Sequence, residues 1–262
     1  MSGGAATGLF DLKGQVVLLT GSTGGLGSAI AEVLAAQGAA LVLSDRDPAA
    51  LAAQASALRQ CGAAVLELPA DLLDPPASAE LTAAAWDWRG RIDTLVCNAG
   101  MQGPAGPLGA ASDEVWERVM QLNLRSAAVM STTLAPFMAA QGGGAIVLMA
   151  SLAALRGNKA IGLYGLSKAA LTQLARNLAV EWGPANVRAN AIAPGLIRTP
   201  LAVQLMNDAA FMQRRLAATP LRRVGEPHEI AGVVALLASR AGAFITGQTL
   251  VVDGGTLISD GS

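Results

Sequence analysis

A doubly wound parallel α/β sheet is the fold class this sequence predicts, on three observations. Short, almost continuously apolar runs alternate from end to end with longer stretches of helical periodicity. The runs lack the polar alternation of a half-exposed strand, as expected of parallel strands covered on both faces. The first run also passes through a glycine-rich turn directly into a helical pattern.

Taken in order, residues 15–20 form the first expected strand. The turn Thr20-Gly21-Ser22-Thr23-Gly24-Gly25-Leu26-Gly27 follows, and Ile30, Val33 and Leu34 continue at helical spacing. Residues 40–44 make the second strand, closing on Asp45 and Arg46, and the alanine-rich residues 49–57 are most simply a helix surface. Residues 64–68 are the third strand, shortly before Asp71 and Leu72. Residues 92–97 are the fourth, running into Asn98-Ala99-Gly100. Ser112 followed by Asp113 and Glu114 starts a helix that Val115, Val119 and Leu122 extend. Residues 145–150 are the fifth strand, with Ser151 at its end, and Leu171, Leu174 and Leu178 mark the helix after it. Residues 187–193 lead into Pro194-Gly195, Pro227 and Glu229 open a helix before Ile230, and residues 249–252 close the series. About seven strands flanked by helices on both faces result. With no repeat or linker-like tract, residues 1–262 are expected to be a single domain, residues 1–8 being a disordered tail.

Composition narrows the function classes. Hydrophobic residues are 52% of the chain and charged residues 14%, enough for a large core and too few charges for a disordered chain. A net charge of −1 offers no basic face, so no nucleic-acid partner is expected. Cys61 and Cys97 make neither a disulfide framework nor a metal-ligand spacing, which suits a reducing cytoplasm and no metal. The start has no basic region followed by an apolar run, so no signal peptide is read there. The apolar stretch 145–155 is interrupted by Ser151 and too short to span a bilayer. A soluble, cytoplasmic protein with no membrane partner is the expectation.

Several residues carry chemistry. The only tyrosine, Tyr164, stands four positions before Lys168, one of three lysines. On a helix that spacing puts phenol and ammonium on one face, a proton donor and acceptor usable near neutral pH. A tyrosine capping its helix beside a solvated lysine fits the spacing equally well. The glycine turn lets the backbone approach a pyrophosphate at a helix N-terminus, although its spacing is not G-x-G-x-x-G. Asp45 stands where an acid binds an adenosine ribose and repels a 2′-phosphate. Arg46 beside it can bind that phosphate, and an ordinary Asp-Arg-Asp turn before Pro48 is the plain alternative. Asp71 is a turn residue or an adenine acceptor. Asn98, Ala99, Gly100 and Ser151 fall at the sheet edge that lines a ligand crevice. Asn123 is odd within an apolar helical pattern, and a local bond to the backbone accounts for it. His228, the only histidine, is read as a surface residue, and Trp86, Trp88, Trp116 and Trp182 as packing or subunit contacts.

Together these residues resemble the short-chain dehydrogenase/reductase family, over nearly the whole chain from Leu12 to Gly255. Thr20-Gly-x-x-x-Gly-x-Gly27 matches the family's cofactor loop, Tyr164-x-x-x-Lys168 its active-site signature, and Ser151 stands thirteen residues before the tyrosine. Asn123, Pro194-Gly195, Thr199 and the closing Gly247-Gln248 and Asp253-Gly254-Gly255 are also in register. Cys97 departs from the pattern, standing where the family usually shows asparagine; it is expected to touch none of the chemical roles.

The resemblance implies a Rossmann fold binding NAD, with NADP disfavoured by Asp45. Gly21, Ser22, Thr23, Gly25, Leu26, Gly27, Asp45, Arg46, Asp71, Leu72, Asn98, Ala99, Gly100, Tyr164, Lys168, Pro194, Ile197 and Thr199 would hold the cofactor. Ser151 would bind the substrate oxygen, Tyr164 would move its proton, and Lys168 would depress the tyrosine pKa. Asn123 would fix a water linking Lys168 to solvent. The implied reaction is hydride transfer between NAD(H) and a secondary alcohol or ketone, small, uncharged and largely apolar. A 3-oxoacyl-carrier-protein reductase using NADPH is the enzyme alternative, with Arg125, Arg214 and Arg215 as a basic rim. A dinucleotide-binding regulator is the non-enzyme alternative. Residues 199–219 fall where the family places a substrate lid. Leu201, Leu205, Met206, Phe211 and Met212 there, with Leu152, Ile161 and Leu196, either meet substrate or pack the lid down. A homotetramer paired through residues 112–140 and 163–182 is expected.

Overall fold

The computed structural model describes residues 8–259, without the side chains of Leu201 and Gln204. The expected tail therefore lies, but for Gly8, outside the described residues. Seven parallel strands form one sheet in the order β3-β2-β1-β4-β5-β6-β7. They are β1 (Val16–Thr20), β2 (Ala40–Ser44), β3 (Val65–Glu67), β4 (Thr94–Cys97), β5 (Gly144–Met149), β6 (Val187–Pro194) and β7 (Thr249–Val252). Alternate residues of a strand point to opposite faces, so each strand feeds two cores. Val17 and Leu19 pack with Ile30, Leu34 and Val234 on one side. Val16 and Leu18 pack with Met130, Leu134 and Leu171 on the other.

The helices are α1 (Gly25–Ala36), α2 (Pro48–Gln60), α3 (Ala77–Arg89), α4 (Asp113–Met120), α5 (Ser126–Ala140), α6 (Gly162–Trp182), α7 (Val203–Met206), α8 (Ala209–Ala217) and α9 (Pro227–Ala238). Ser112 caps α4 as expected, its Oγ accepting from Val115 N at 3.4 Å. Asp47 caps α2 by accepting from Ala49 N and Ala50 N, so the Asp-Arg-Asp stretch is also a helix start. The expected third strand is shorter than residues 64–68, because an edge strand has one neighbour. Ala64 O and Leu68 N still bond to β2, at 2.8 and 2.9 Å. The expected helix 112–140 is interrupted by a π-helical turn, Gln121–Arg125, which bulges Asn123 out of the α-helical register. Trp86 packs on Phe137 with ring centroids 4.8 Å apart, and His228 is exposed, as read from the sequence.

Strand order reverses between β1 and β4, which opens a crevice at the carboxyl ends of the strands. Among the described residues no helix is long and apolar enough to cross a membrane, and no cluster of three potential metal ligands occurs.

Candidate active site

At the crevice, β1 turns through the glycine loop into α1. A side chain at Gly27 would put its Cβ 2.0 Å from Gly21 O, so only glycine lets the helix start this close to the strand. Gly21 has φ +62° and faces Ala99 Cα, where a Cβ would sit at 2.8 Å. No side chain caps α1, so its first N–H groups remain free for an anion. Ser22 contributes a buried Oγ with no partner, and its carbonyl is held by Gln54 Nε2 at 2.7 Å, a contact from α2 that sequence reasoning missed. Asn98 ties β4 to this loop by donating to Gly21 O at 2.9 Å and Thr20 O at 3.2 Å.

Asp45 is aimed by its neighbours. Its Oδ2 accepts from Thr23 Oγ1 at 2.7 Å and Thr23 N at 3.1 Å, and its Oδ1 from Arg46 N at 2.8 Å. Arg46 itself is exposed. Asp71 is exposed and turns its Oδ1 to Leu73 N at 3.0 Å, while Leu72 is buried. Glycine cradle, uncapped helix start and oriented carboxylate together fit a dinucleotide laid across the switch point.

The second half of the site comes from β5 and α6. Ser151 is in an extended conformation, its Oγ accepting from Ala153 N at 3.2 Å. Lys168 is 3% exposed and donates to Met149 O at 2.7 Å, with its Nζ 5.7 Å from the Tyr164 ring centroid. The solvated-lysine reading is thereby excluded. Burial lowers the Lys168 ammonium to about 8, and it pushes the Tyr164 phenol above its ordinary value, partly offset by a hydrogen bond with Ser151. The expected depression of the tyrosine by Lys168 is therefore not found: burial dominates, and the ammonium is directed at the Met149 carbonyl.

Asn123 is not explained by a local bond. It reaches residue 101, accepting from Met101 N and donating to Met101 O, both at 2.8 Å, and donates to Ser167 Oγ at 2.9 Å. Gly100 lies over this junction, where a Cβ would stand 3.0 Å from Lys168 Nζ. Cys97, the departure from the family pattern, is buried. Burial pushes its thiol up to about 12, so it is neutral.

Leu26, Asn98, Gly100, Ser151, Tyr164, Lys168, Pro194, Ile197 and Thr199 share one cavity of about 200 Å³. Ala202 and Leu205 close it from the lid segment and Leu196 from just before it, while Met206, Phe211, Met212, Leu152 and Ile161 are not in its lining. The Leu201 side chain lies outside the described residues. Met101, Gln102 and Met149 also line it; the only sequence signal for the first two was their place after Asn-Ala-Gly. Gly21 to Thr23, Asp45, Arg46, Asp71 and Leu72 lie outside this cavity, toward β2 and β3. A larger hollow of about 290 Å³ lies at the opposite edge of the sheet and includes Arg188. That guanidinium is spent on Leu237 O at 2.7 Å and Gly242 O at 2.9 Å, at the end of α9.

A family model described as enoyl-(acyl carrier protein) reductase matches residues 21–256. The chain is 36% identical over 255 residues to dehydrogenase/reductase SDR family member 4 of Oryctolagus cuniculus, covering 97% of this chain and 98% of that one. A solved 7α-hydroxysteroid dehydrogenase complexed with NADH and 7-oxo glycochenodeoxycholic acid is 34% identical, with TM-score 0.91, covering 95% of this chain and 96% of that one. A gluconate 5-dehydrogenase from Burkholderia cenocepacia in complex with NADP and tartrate is 33% identical, with TM-score 0.92, covering 97% and 99%.

Proposed function

Because this chain belongs to the short-chain dehydrogenase/reductase family, and so is an oxidoreductase of CH–OH and C=O groups, we propose that it joins NAD(H) to a secondary alcohol or ketone. The observation that carries this reading is the convergence of Ser151, Tyr164 and Lys168 on one cavity. The bound dinucleotide supplies or accepts the hydride. Ser151 donates a hydrogen bond to the substrate oxygen and stabilises charge developing there. In reduction Tyr164, whose raised pKa keeps it protonated, gives its phenolic proton to that oxygen. In oxidation it must first lose that proton, and the Ser151 hydrogen bond offsets part of the cost of a buried phenolate. Lys168, near 8, is charged for most of the protein at neutral pH yet loses its proton readily. Asn123 and Met101 brace the floor beneath it, and a water at this junction would connect the ammonium to solvent.

The glycine loop, Asp71, Leu72, Asn98, Ala99 and Gly100 would hold the adenosine and pyrophosphate portions, and Pro194, Ile197 and Thr199 the nicotinamide end. Asp45 supports NAD(H) over NADP(H), against the neutral precedent of relatives solved with either cofactor. Leu196, Ala202 and Leu205 support an uncharged, apolar substituent near the reacting carbon, under residues 199–219 as a lid. We read the chain as one domain and as a cytoplasmic protein, in keeping with Cys61 and Cys97 both being free thiols. A homotetramer is supported by apolar side chains left exposed on α5 and α6 (Phe137, Leu166, Val180) and around β7 (Phe244, Val251, Ile258). The acyl-carrier alternative draws on the description of the matching family model and on Arg215, half-buried beside Arg156. A purely regulatory role has less support, since the acid–base groups are assembled.

The test is reduction of each dinucleotide over secondary alcohols graded by size and polarity, with acyl thioesters assayed in reverse. Tyr164→Phe should keep the fold and lose ~10²–10⁴-fold in rate. Retention of more than a tenth of the wild-type rate on a good substrate would remove Tyr164 from the mechanism.

A further inference from the structure

The peptide between Ser22 and Thr23, in the middle of the glycine loop, is gripped from both sides. A peptide unit is planar, so its C=O and N–H point in opposite directions and turn together. Gln54 Nε2 donates to the Ser22 carbonyl at 2.7 Å, and the Thr23 N–H of the same unit donates to Asp45 Oδ2 at 3.1 Å. Ser28 Oγ also approaches that carbonyl, at 3.5 Å, the limit of a hydrogen bond. Gln54 reaches the loop from α2, whose Leu51, Ala55 and Leu58 are buried in the core. It stands three residues after Leu51 and four before Leu58, beside that buried stripe, where helical periodicity favours an apolar side chain. Its Oε1 is buried with no partner among the described residues, so an amide is a poor choice for packing alone. Asp47, which caps α2 just after Asp45, fixes the helix against the same strand end.

We propose that Gln54 is a positioning residue for the cofactor. It holds the Ser22–Thr23 peptide in the orientation that turns Thr23 N toward Asp45, and so keeps the adenosine-ribose end of the site formed before a dinucleotide arrives. The inference rests on Asp45 as the ribose acid. Gln54 acts through the peptide rather than on the dinucleotide. Hydrogen bonds at opposite ends of one peptide polarise it in the same sense, so each strengthens the other. Removing the Gln54 donor leaves the bond from Thr23 N to Asp45 without that support, and the loop must then order itself as the cofactor binds. Gln54, Ser22, Thr23 and Asp45 are all outside the lining of the cavity that holds Ser151 and Tyr164, so the loss falls on cofactor binding and not on the chemical step. Stability should change little. The Ser22 bond favours the fold and the unpartnered Oε1 opposes it, and an apolar side chain of the same length removes both.

The experiment measures ADP-ribose binding by calorimetry, and steady-state kinetics with NAD⁺ and a secondary alcohol, for wild type, Gln54→Met, Gln54→Ala and Asp45→Ser. Methionine keeps the length of the glutamine side chain and has no donor. Gln54→Met should weaken ADP-ribose binding and raise the KM for NAD⁺ by roughly three- to tenfold, the worth of one hydrogen bond. Its kcat should stay within about twofold of wild type and its melting temperature within about 4 °C. Gln54→Ala, which opens the place to solvent, should show the same split between KM and kcat, which tests the idea even if the methionine variant misfolds. Unchanged ADP-ribose affinity in a folded Gln54 variant, or a lower melting temperature or kcat with no rise in KM, would overturn the positioning role. A loss of ADP-ribose affinity in Asp45→Ser with none in the Gln54 variants would overturn that role alone. Unchanged affinity in Asp45→Ser would overturn the ribose assignment and the positioning role with it.

Discussion

Thr23→Val should erode the proposed preference for NAD(H), in which Asp45 is the discriminating residue. The Thr23 hydroxyl and amide hold Asp45 Oδ2 at 2.7 and 3.1 Å, and Arg46 N holds Oδ1 at 2.8 Å, so the carboxylate is aimed before a cofactor arrives. A 2′-phosphate placed where the ribose hydroxyl meets Asp45 would stand ~5 Å from the carboxylate. At an effective dielectric of ~20 that is ~3 kcal/mol of repulsion per unit of phosphate charge. Asp45 is half-exposed, and solvent screening reduces this to ~1–2 kcal/mol, or about 5–30-fold in cofactor preference. Asp45→Ser should remove that preference and weaken NAD(H) by loss of the ribose bonds. Thr23→Val keeps the charge but frees the side chain; one charge-assisted bond of ~1 kcal/mol predicts a three- to tenfold loss of selectivity. Thr23→Ser, which retains the bond, should behave as wild type. The assay is kcat/KM for both cofactors in all four proteins. A wild-type preference for NADP(H) would show that Arg46 outweighs Asp45. An unchanged ratio in Thr23→Val would show that Thr23 does not aim the carboxylate.

Lys168 is held near 8 when folded and titrates near ~10.4 when unfolded, so between those values the unfolded chain binds the extra proton and stability rises with pH. Wild type should therefore gain ~1 kcal/mol relative to Lys168→Met between pH 7 and 9 in denaturant titrations. Cys97 and Tyr164, both raised by burial, act in the opposite sense, Cys97 from about pH 8.5 upward, but they are common to both proteins and drop out of the difference. A difference that stays flat across that interval would refute a buried, neutralised lysine. Gly27→Ala, whose Cβ would fall 2.0 Å from Gly21 O, should weaken dinucleotide binding at least tenfold by calorimetry, with unaltered affinity counting against a tight backbone cradle. Light scattering at micromolar concentration should return four chains per particle, and a monomeric mass would refute the expected assembly.

The sequence was most informative where one local pattern settles geometry. Short, almost continuously apolar runs placed all seven strands to within a few residues, and the glycine spacing marked the turn whose close approach Gly21 and Gly27 now make. Tyr164 and Lys168 could be put on one helix face because i and i+4 always are. What failed was environment. The tyrosine is raised rather than depressed, because desolvation is summed over every atom that excludes water from it.

The chain's own order thus determined the elements, their alternation and which residues are proposed as the acid–base groups. Each of these depends on near neighbours and on backbone periods that repeat within a few residues. Only the tertiary structure decided which partners those groups have. Asn123 meets Met101 because a π-helical turn rotates it toward a loop 22 residues away, and Gln54 reaches Ser22 O across 32. Lys168 loses its solvent because β5 and α6 close around it. Such contacts depend on how layers pack and what water they exclude, which no window of sequence contains.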